Sequence, residues 1–328
     1  MRIIVKLNLL AIIIGLVVLA SCNRPFIWNL DPTHLTFDRT YGPGIARSCE
    51  ITKDGDIVIV GTNFGNDLKP FLIRTDSIGI PQIGFPKIYL NEEGFDAEFF
   101  DIDEDSLGNF HIVGYSEKDD RNRRDQISAY YLKVNSIGGN PIPSFYYSSS
   151  ENRFFTAVKT IDSAEPCRIG YRLDEGKIEF LRVCPSLNFG IVPDGFIGWD
   201  IEVISPGKIF ISGVFHDEEI PSDTLVGFYT KDSVSRIQKI GENSSLSYGM
   251  EVLDDKVIIV GHSNSVKENG SLVGRLDKQI LIITFDINGN PLNQVSFGGS
   301  GDEEGFDIEQ TSDKGFVVVG STTSFGNG

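Results

Sequence analysis

The chain has 328 residues, with 29 basic against 46 acidic side chains, a formal net charge of −17, and four cysteines. This excess of acid excludes nucleic-acid binding, which needs a basic footprint to displace counterions. It also repels anionic headgroups, so attachment to a membrane has to come from something other than charge.

The first segment, MRIIVKLNLLAIIIGLVVLASC, carries Arg2 and Lys6, an apolar run over residues 9–20, and the small residues Ala20 and Ser21 before Cys22. The run falls short of the roughly 20 residues of a membrane span. Basic residues, a short apolar stretch and small residues in that order are a secretory leader, set aside before any fold is considered. LASC, residues 19–22, resembles the lipobox of bacterial lipoproteins. The resemblance implies removal of residues 1–21 and lipidation of Cys22 with diacylglycerol and an acyl chain such as palmitate. An ordinary secretory leader with an incidental Cys22 is the alternative. At about 0.8 kcal/mol per buried methylene, two or more acyl chains hold a protein on a bilayer stably. Residues 22–34 then form a short lipidated tether and residues 35–328 the folded domain. No acidic cluster of the kind that resembles surface-export signals follows Cys22, which favours a periplasm-facing position in the bacterial envelope over the cell surface.

The rest of the chain repeats itself. GFDIEQTSDKGFVVVG (305–320) aligns with FFDIDEDSLGNFHIVG (99–114), GWDIEVISPGKIFISG (198–213) and ARSCEITKDGDIVIVG (46–61). YGMEVLDDKVIIVG (248–261) fits with a shorter turn, and FTAVKTIDSAEPCRIG (155–170) is a degraded copy. Self-similarity at about 50 residues marks an array or a propeller. Each unit reads as four strands: A, a tight turn, B ending in Gly61, Gly114, Gly170, Gly213, Gly261 or Gly320, a variable loop, C, a Gly-rich reversal, and D. Apolar β-branched runs without clean alternation imply sheets covered on both faces. The fold class is therefore all-β, a β-propeller of about six four-stranded blades. The [FY]GG near the end of strand D, the acidic D–A loop and the G-[ST]-T-[ST] after strand B resemble the propeller repeats of secreted bacterial proteins. The Trp-Asp endings of one propeller family and the docking motif of quinone-dependent alcohol dehydrogenases are absent from the sequence, so no quinone cofactor is expected.

LTFDRTYGPG (35–44) resembles a D strand and its loop, as in LNQVSFGGSG (292–301). The N-terminus is thus expected to supply the outer strand of a last blade whose A and B strands come from the C-terminus, since an unclosed ring leaves unpaired edges. That blade lacks a strand C after Gly328. The sequence reads either as a C-terminally truncated frame, the preferred reading, or as a three-stranded closing blade.

In the third unit, a two-residue turn at Glu175-Gly176 places Asp174 opposite Lys177, Arg172 opposite Glu179 and Cys167 opposite Cys184. Counted out from the turn, the cysteines form a non-hydrogen-bonded pair, within disulfide reach. A Cys167–Cys184 disulfide is expected, in keeping with an oxidising compartment. Cys49 falls in the frame of Ile102, Ile201, Met250 and Ile308 and reads as a buried hydrophobe.

Acids recur on strand A: Asp101 and Asp103, Asp200 and Glu202, Asp307 and Glu309, with Glu50 and Glu251 in equivalent places. The innermost strand borders the channel, so these acids are candidates to line it and to face a cation, although Ala157 and Lys159 break the series in the third unit. Wet channel walls that tolerate polar residues are the plainer reading. Asp101, Asp103 and Asp105 alternate like the start of a calcium loop, but such a loop needs Gly and Glu where Ser106 and Ile112 stand. Calcium is thus a weak candidate, and no other cofactor or metal is expected. His216 and His262 differ in frame by two positions, which argues against a shared zinc. Phe100, Trp199, Tyr248 and Phe306 share one frame position, either as a sugar-stacking rim or as packing between blades. The B–C segments 62–68, 117–126, 217–223 and 263–278 read as the longer loops, on the same face as the D–A loops NEEG (91–94) and GDEEG (301–305). No nucleophile elbow, HExxH or P-loop pattern is present, and no catalytic residue is assigned. The favoured reading is a membrane-anchored extracytoplasmic binding or scaffold propeller, not an enzyme, with a protein or glycan partner on its loop face. The alternatives are an envelope-assembly component, similar in architecture only to the lipoprotein propeller of the outer-membrane barrel-assembly machinery, and a glycan hydrolase or lyase using the channel acids.

Overall fold

The computed structural model describes residues 2–4, 38–40 and 44–324, except 64–67, 90–95, 121–122, 147–150, 162–164, 175–176, 185–195, 206–207, 218–219, 231–232, 241–245, 254, 269–270, 289 and 312–314. The described residues form strands in six antiparallel sheets and no helix. The N-terminal strands are β1 (Arg2–Ile4) and β2 (Asp38–Thr40). Blade 1 is β3 (Ile45–Ile51), β4 (Ile57–Asn63), β5 (Lys69–Thr75) and β6 (Lys87–Ile88). Blade 2 is β7 (Ala97–Glu104), β8 (Phe110–Asp120), β9 (Arg123–Val134) and β10 (Ile142–Tyr146). Blade 3 has three described strands, β11 (Asn152–Lys159), β12 (Cys167–Asp174) and β13 (Lys177–Val183). Blade 4 is β14 (Phe196–Ser205), β15 (Lys208–Asp217), β16 (Ile220–Thr230) and β17 (Ser233–Ile240). Blade 5 is β18 (Leu246–Leu253), β19 (Lys256–Glu268), β20 (Ser271–Asp286) and β21 (Pro291–Phe297). Blade 6 pairs β22 (Glu303–Gln310) and β23 (Phe316–Thr322) with β1 and β2.

The six innermost strands touch in the order β3, β7, β11, β14, β18, β22 and back to β3, which closes the ring of a β-propeller. Six apolar clusters fill the six gaps between neighbouring sheets. Val58, Val60 and Leu72 of blade 1 meet Phe99, Phe110 and Ile112 of blade 2, and Ala46, Ile57 and Ile59 of blade 1 meet Val317 and Val319 of blade 6. The other four follow the same rule. Both faces of each sheet are thereby dry, which is why the B strands IVIV, FHIV, IFIS, VIIV and VVV show no alternation.

The N-terminus does supply the outer strand of blade 6, as the sequence indicated. Among the described residues the place of strand C beside β23 is filled from the segment read above as a leader, which a chain cleaved before Cys22 would lack. Arg2–Ile4 occupies it, with Arg2 opposite Gly320, Ile3 opposite Val319 and Ile4 opposite Val318. An unpaired β23 edge accepts any extended β-branched segment, and Ile3 and Ile4 supply one. A second correction concerns the loops. Segments 117–126, 217–223 and 263–278 are largely strand: β8/β9, β15/β16 and β19/β20 run on as two-stranded ribbons past Gly114, Gly213 and Gly261. In blade 5 the ribbon pairs Val266 with Val273 and Lys267 with Leu272. The chain between its strands is Asn269-Gly270, the dipeptide most favoured in two-residue hairpins. From Gly261 to Glu268 this ribbon extends about 23 Å.

The Cys167–Cys184 disulfide is present, with Cα atoms 4.1 Å apart, and Arg172 pairs with Glu179 as the register required. Cys49 is buried and reduced; burial and then Asp307 push its thiol pKa up, so it has no nucleophilic character at neutral pH. Cys22 lies outside the described residues.

Candidate functional site

Every inner strand carries a β-bulge at one and the same place. In blade 1 Ala46 pairs with Gly61 and Ser48 with Val60, leaving Arg47 as the extra residue. The extra residues of blades 2 to 6 are Phe100, Thr156, Trp199, Tyr248 and Phe306. The bulge explains the glycine that closes each B strand. A Cβ on Gly61, Gly114, Gly170 or Gly320 would lie 1.9–2.0 Å from the carbonyl oxygen of Ile45, Glu98, Phe154 or Glu304 on the bulged strand. The glycine admits the bulge, and the bulge turns two consecutive residues of each inner strand toward the bore.

Those residues build a cup at the end of the channel where the B–C ribbons project. Its cavity of about 220 Å³ is lined by the bulge residues and by Ser48, Asp101, Asp200, Gly249 and Asp307. The wall is a closed circuit of ring contacts. Trp199, Tyr248 and Phe306 meet edge to face at centroid distances of 5.7 and 5.2 Å. The Arg47 guanidinium spans from Phe306 to Phe100, 5.0 and 5.6 Å from their centroids. Phe100 meets Tyr115, Tyr115 meets Phe154, Phe154 stacks on Tyr171 at 4.7 Å, and Tyr171 returns to Trp199. In blade 3 the small Thr156 lines the cavity, and Tyr115, Phe154 and Tyr171 complete the circuit behind it without lining the cavity themselves. Shared frame position named four of these rings; the other three come from different strands and have no sequence signal.

The floor alternates. The residue after each bulge is Ser48, Asp101, Ala157, Asp200, Gly249 and Asp307 in blades 1 to 6. Each aspartate clamps its own blade to the next. Asp101 accepts hydrogen bonds from the backbone N–H of Ile102 and, across the gap, from Val158 at 2.7 Å. Asp200 accepts from Ile201 and Met250, both at 2.6 Å. Asp307 accepts from Ile308 and Cys49, both at 2.8 Å. The small residues in between make room: a Cβ on Gly249 would lie 2.5 Å from Asp307 Cα. Ser48 Oγ sits 2.7 Å from Asp101 Oδ1 and 2.8 Å from Asp307 Oδ2. One hydroxyl proton is shared between the two carboxyls. Burial, and then Asp307, pushes Asp101 up to about 8, whereas Asp307 is raised only to about 6. Ser48 Oγ is thus the donor within reach of both carboxyls, and Asp101 takes up a proton at higher pH than Asp307.

Two residues further along the same strands lies a second ring: Glu50, Asp103, Lys159, Glu202, Glu251 and Glu309. Lys159 does not interrupt this ring. It is the counterion within it, with Nζ 2.7 Å from Glu202 and 3.4 Å from Asp103. Burial opposes its charge, but Glu202, Asp103 and Glu50 outweigh burial and raise its pKa. Burial, followed by neighbouring carboxylates, raises Glu50, Glu309 and Glu251, the last to about 8. Five of these side chains, all but Glu251, line a space of about 10 Å³, at the lower limit for one water. The cup is consequently blind-ended.

Asp101, Asp103 and Asp105 are not brought together. Asp103 faces Thr160 and the channel, whereas Asp105 caps its own turn through Asn109 and binds His111 and Lys133. His262 packs on Tyr248 and lies 3.8 Å from Glu304; the side chain of His216 is outside the described residues.

No protein-family model matches the chain, and no curated protein matches it. Solved structures are similar in fold, three of them as follows. One is a GH43 endo-arabinanase from Bacillus licheniformis, 14% identical with a TM-score of 0.42 over 77% of this chain and 99% of that one. Another is an exo-1,5-α-L-arabinanase from a bovine ruminal metagenomic library, 13% identical with a TM-score of 0.35 over 85% and 99%. The third is the Pan2 WD40 domain of Neurospora crassa, 8% identical with a TM-score of 0.29 over 86% and 90%.

Proposed function

We propose that this chain is a lipid-anchored, extracytoplasmic binding propeller that takes part of a neutral glycan end-on into the aromatic cup. The observation that carries this reading is the pairing of an aromatic wall with a floor of fixed acceptors and two donors. Arg47 Nε and Trp199 Nε1 are buried, belong to residues lining the cavity, and have no hydrogen-bond partner among the described residues. A hydroxyl-rich ring uses all three features: apolar C–H faces on the rings, hydroxyls donating to the carboxylates, and oxygens accepting from the two N–H groups. A simple cation would use the carboxylates and leave both donors unpaired. About 220 Å³ is below the range for drug-sized ligands and suits one terminal sugar.

Binding is preferred over hydrolysis because Asp101, Asp200 and Asp307 each accept backbone N–H groups from two blades. A carboxylate held in that way is a poor nucleophile and a good clamp. The second reading, a glycan hydrolase, is favoured by one observation: Asp101 and Asp307 share Ser48 and have pKa values pushed apart, the pattern of an acid and a base. A panel of neutral oligosaccharides, with and without calcium, separates the two. Saturable binding without release of reducing ends supports the binding module, release of reducing ends supports the hydrolase, and neither result removes the cup as a glycan site.

A further inference from the structure

The corner of the cup formed by Trp199, Tyr248 and Phe306 is backed by a histidine that does not itself line the cavity. His262 is the first residue of β19 past Gly261, at the root of the blade 5 ribbon, opposite Leu246 of β18 and Ile280 of β20. Its side chain is 3% exposed, and its ring centroid lies 5.7 Å from that of Tyr248. Tyr248 in turn meets Trp199 at 5.7 Å and Phe306 at 5.2 Å. The backbone at Tyr248 is held, since its carbonyl accepts from Ser212 Oγ at 3.1 Å. A change at His262 therefore reaches the cup through the Tyr248 ring and not through the strand.

This histidine has an unmet bond. Its Nδ1 is buried and has no hydrogen-bond partner among the described residues, a state that costs free energy. Glu304 Oε1 stands 3.8 Å away, about 1 Å beyond hydrogen-bond length, and Lys278 Nζ already holds that carboxylate. The charged and titratable groups around the ring are Tyr248 from β18, Lys278 from β20, and Asp302 and Glu304 from blade 6. Asp302 Oδ1 accepts from the Lys278 N–H, Asp277 Oδ2 from Gln279, and Glu303 from Gly299 and Thr322. Burial lowers the His262 pKa against the opposing pull of Glu304, so the ring is neutral at pH 7. A proton taken up in acid makes Nδ1 a charged donor, for which the Glu304 carboxylate is the adjacent acceptor. Glu304 lies two residues before Phe306 on β22, so this pair forms beside the cup corner. We propose that His262 is a proton-sensitive positioning residue of the cup: neutral, it holds the Tyr248 ring in the corner, and protonated, it turns to Glu304 and lets that ring go. The cup then takes its ligand near neutral pH and releases it in acid.

The ligand half of the proposal rests on the glycan reading, and the test keeps the two apart. Full-length Trp28→Phe protein is the parent, so that indole emission reports Trp199. Without ligand, emission is followed from about pH 8 to about pH 5 beside the His262 Cε1–H resonance, which is assigned by its loss in His262→Gln. A step in Trp199 emission with the same midpoint as that resonance is expected. The step should vanish in His262→Gln and move down by about half a pH unit in Glu304→Gln, which removes the carboxylate that favours the charged ring. A step that persists unchanged in His262→Gln, as titration of Asp307 alone would give, overturns the proposal, and so does a step that Glu304→Gln leaves in place. If His262→Gln does not fold, Glu304→Gln decides alone. A panel oligosaccharide that binds at neutral pH should then bind the parent about fivefold more weakly near pH 5.5, and His262→Gln within about twofold at both. Equal affinity of the parent at the two pH values overturns the release. Failure of every oligosaccharide to bind refutes the glycan reading, while the ligand-free result still decides whether His262 governs the corner.

Discussion

The two layers of the channel lie two residues apart on the same six strands and do opposite things. In the lower layer six long side chains converge, Lys159 among five acids, and the bore is closed. In the upper layer aspartate alternates with serine, alanine and glycine, and the small residues leave a cup. Both layers contain carboxylates with raised pKa values. The lower layer manages its charge with an ammonium and bound protons, the upper with backbone N–H groups from the adjacent blade. Acidic residues in a channel are thus insufficient to identify a site; what fills the positions between them decides whether space remains.

The bulge separates the layers, so removing it is the most damaging way to break the comparison. Gly114→Ala forces a Cβ to within 1.9 Å of Glu98 O. It should cost at least about 4 kcal/mol, read as a large fall in urea midpoint or as failure to fold. Gly108→Ala, in a turn where a Cβ would meet only Glu104 Oε1 at an ordinary 3.6 Å but φ is +79°, should cost only about 1 kcal/mol.

The repeat that revealed the fold also concealed this feature. Aligning 99–114 with 305–320 fixes which residues share a place, and so made the strand-A acids and the four aromatics visible. Strict alternation along a strand cannot put Phe100 and Asp101 at the same bore; only the bulge does, and its trace in sequence is the closing glycine, which reads equally well as a strand end. Lys159 looked like a defect because a counterion to five acids is apparent only when all six strands face one another. Blade 3 was degraded at Thr156, yet Tyr115, Phe154 and Tyr171 carry the circuit of ring contacts past it from other strands. The disulfide was legible because a two-residue turn fixes register by counting alone. The ribbon over 263–278 was hidden because Ser, Lys and Glu outnumber its apolar residues.

The next effect in size tests the lower layer. Lys159→Met leaves Glu202 and Asp103 without their counterion and should cost about 2–3 kcal/mol at pH 8, short of a fully buried pair because a quarter of the lysine side chain remains wet. Chemical denaturation at pH 5, where the ring acids hold more protons, should show a smaller loss. A pH-independent loss would mean Lys159 acts by packing alone.

The smallest effect is on the intact protein. Asp101 and Glu251 titrate near 8 and Asp307 near 6 in the folded state, against 3.8–4.5 as ordinary values. The folded state therefore binds more protons than the unfolded one between about pH 4 and 8. Stability from these groups is fully present below about 4 and is lost as pH rises through 6 to 8. Asp105, whose Asn109, His111 and Lys133 contacts outweigh burial and hold its pKa low, contributes in the opposite sense and loses its share in acid. Scanning calorimetry should give a Tm that falls by about 5 °C between pH 5.5 and 8.5. A rising Tm over that window would contradict the raised pKa values of the channel acids.

The upper layer can be read directly, because the chain contains two tryptophans, Trp28 near the N-terminus and Trp199 in the cup wall. In a Trp28→Phe background the indole emission reports the cup alone. Titration with the neutral oligosaccharide panel should give a saturable change in Trp199 emission for at least one member, abolished by Tyr248→Ala. No saturable change for any member, with or without calcium, would contradict the assignment of the cup as a glycan-binding site.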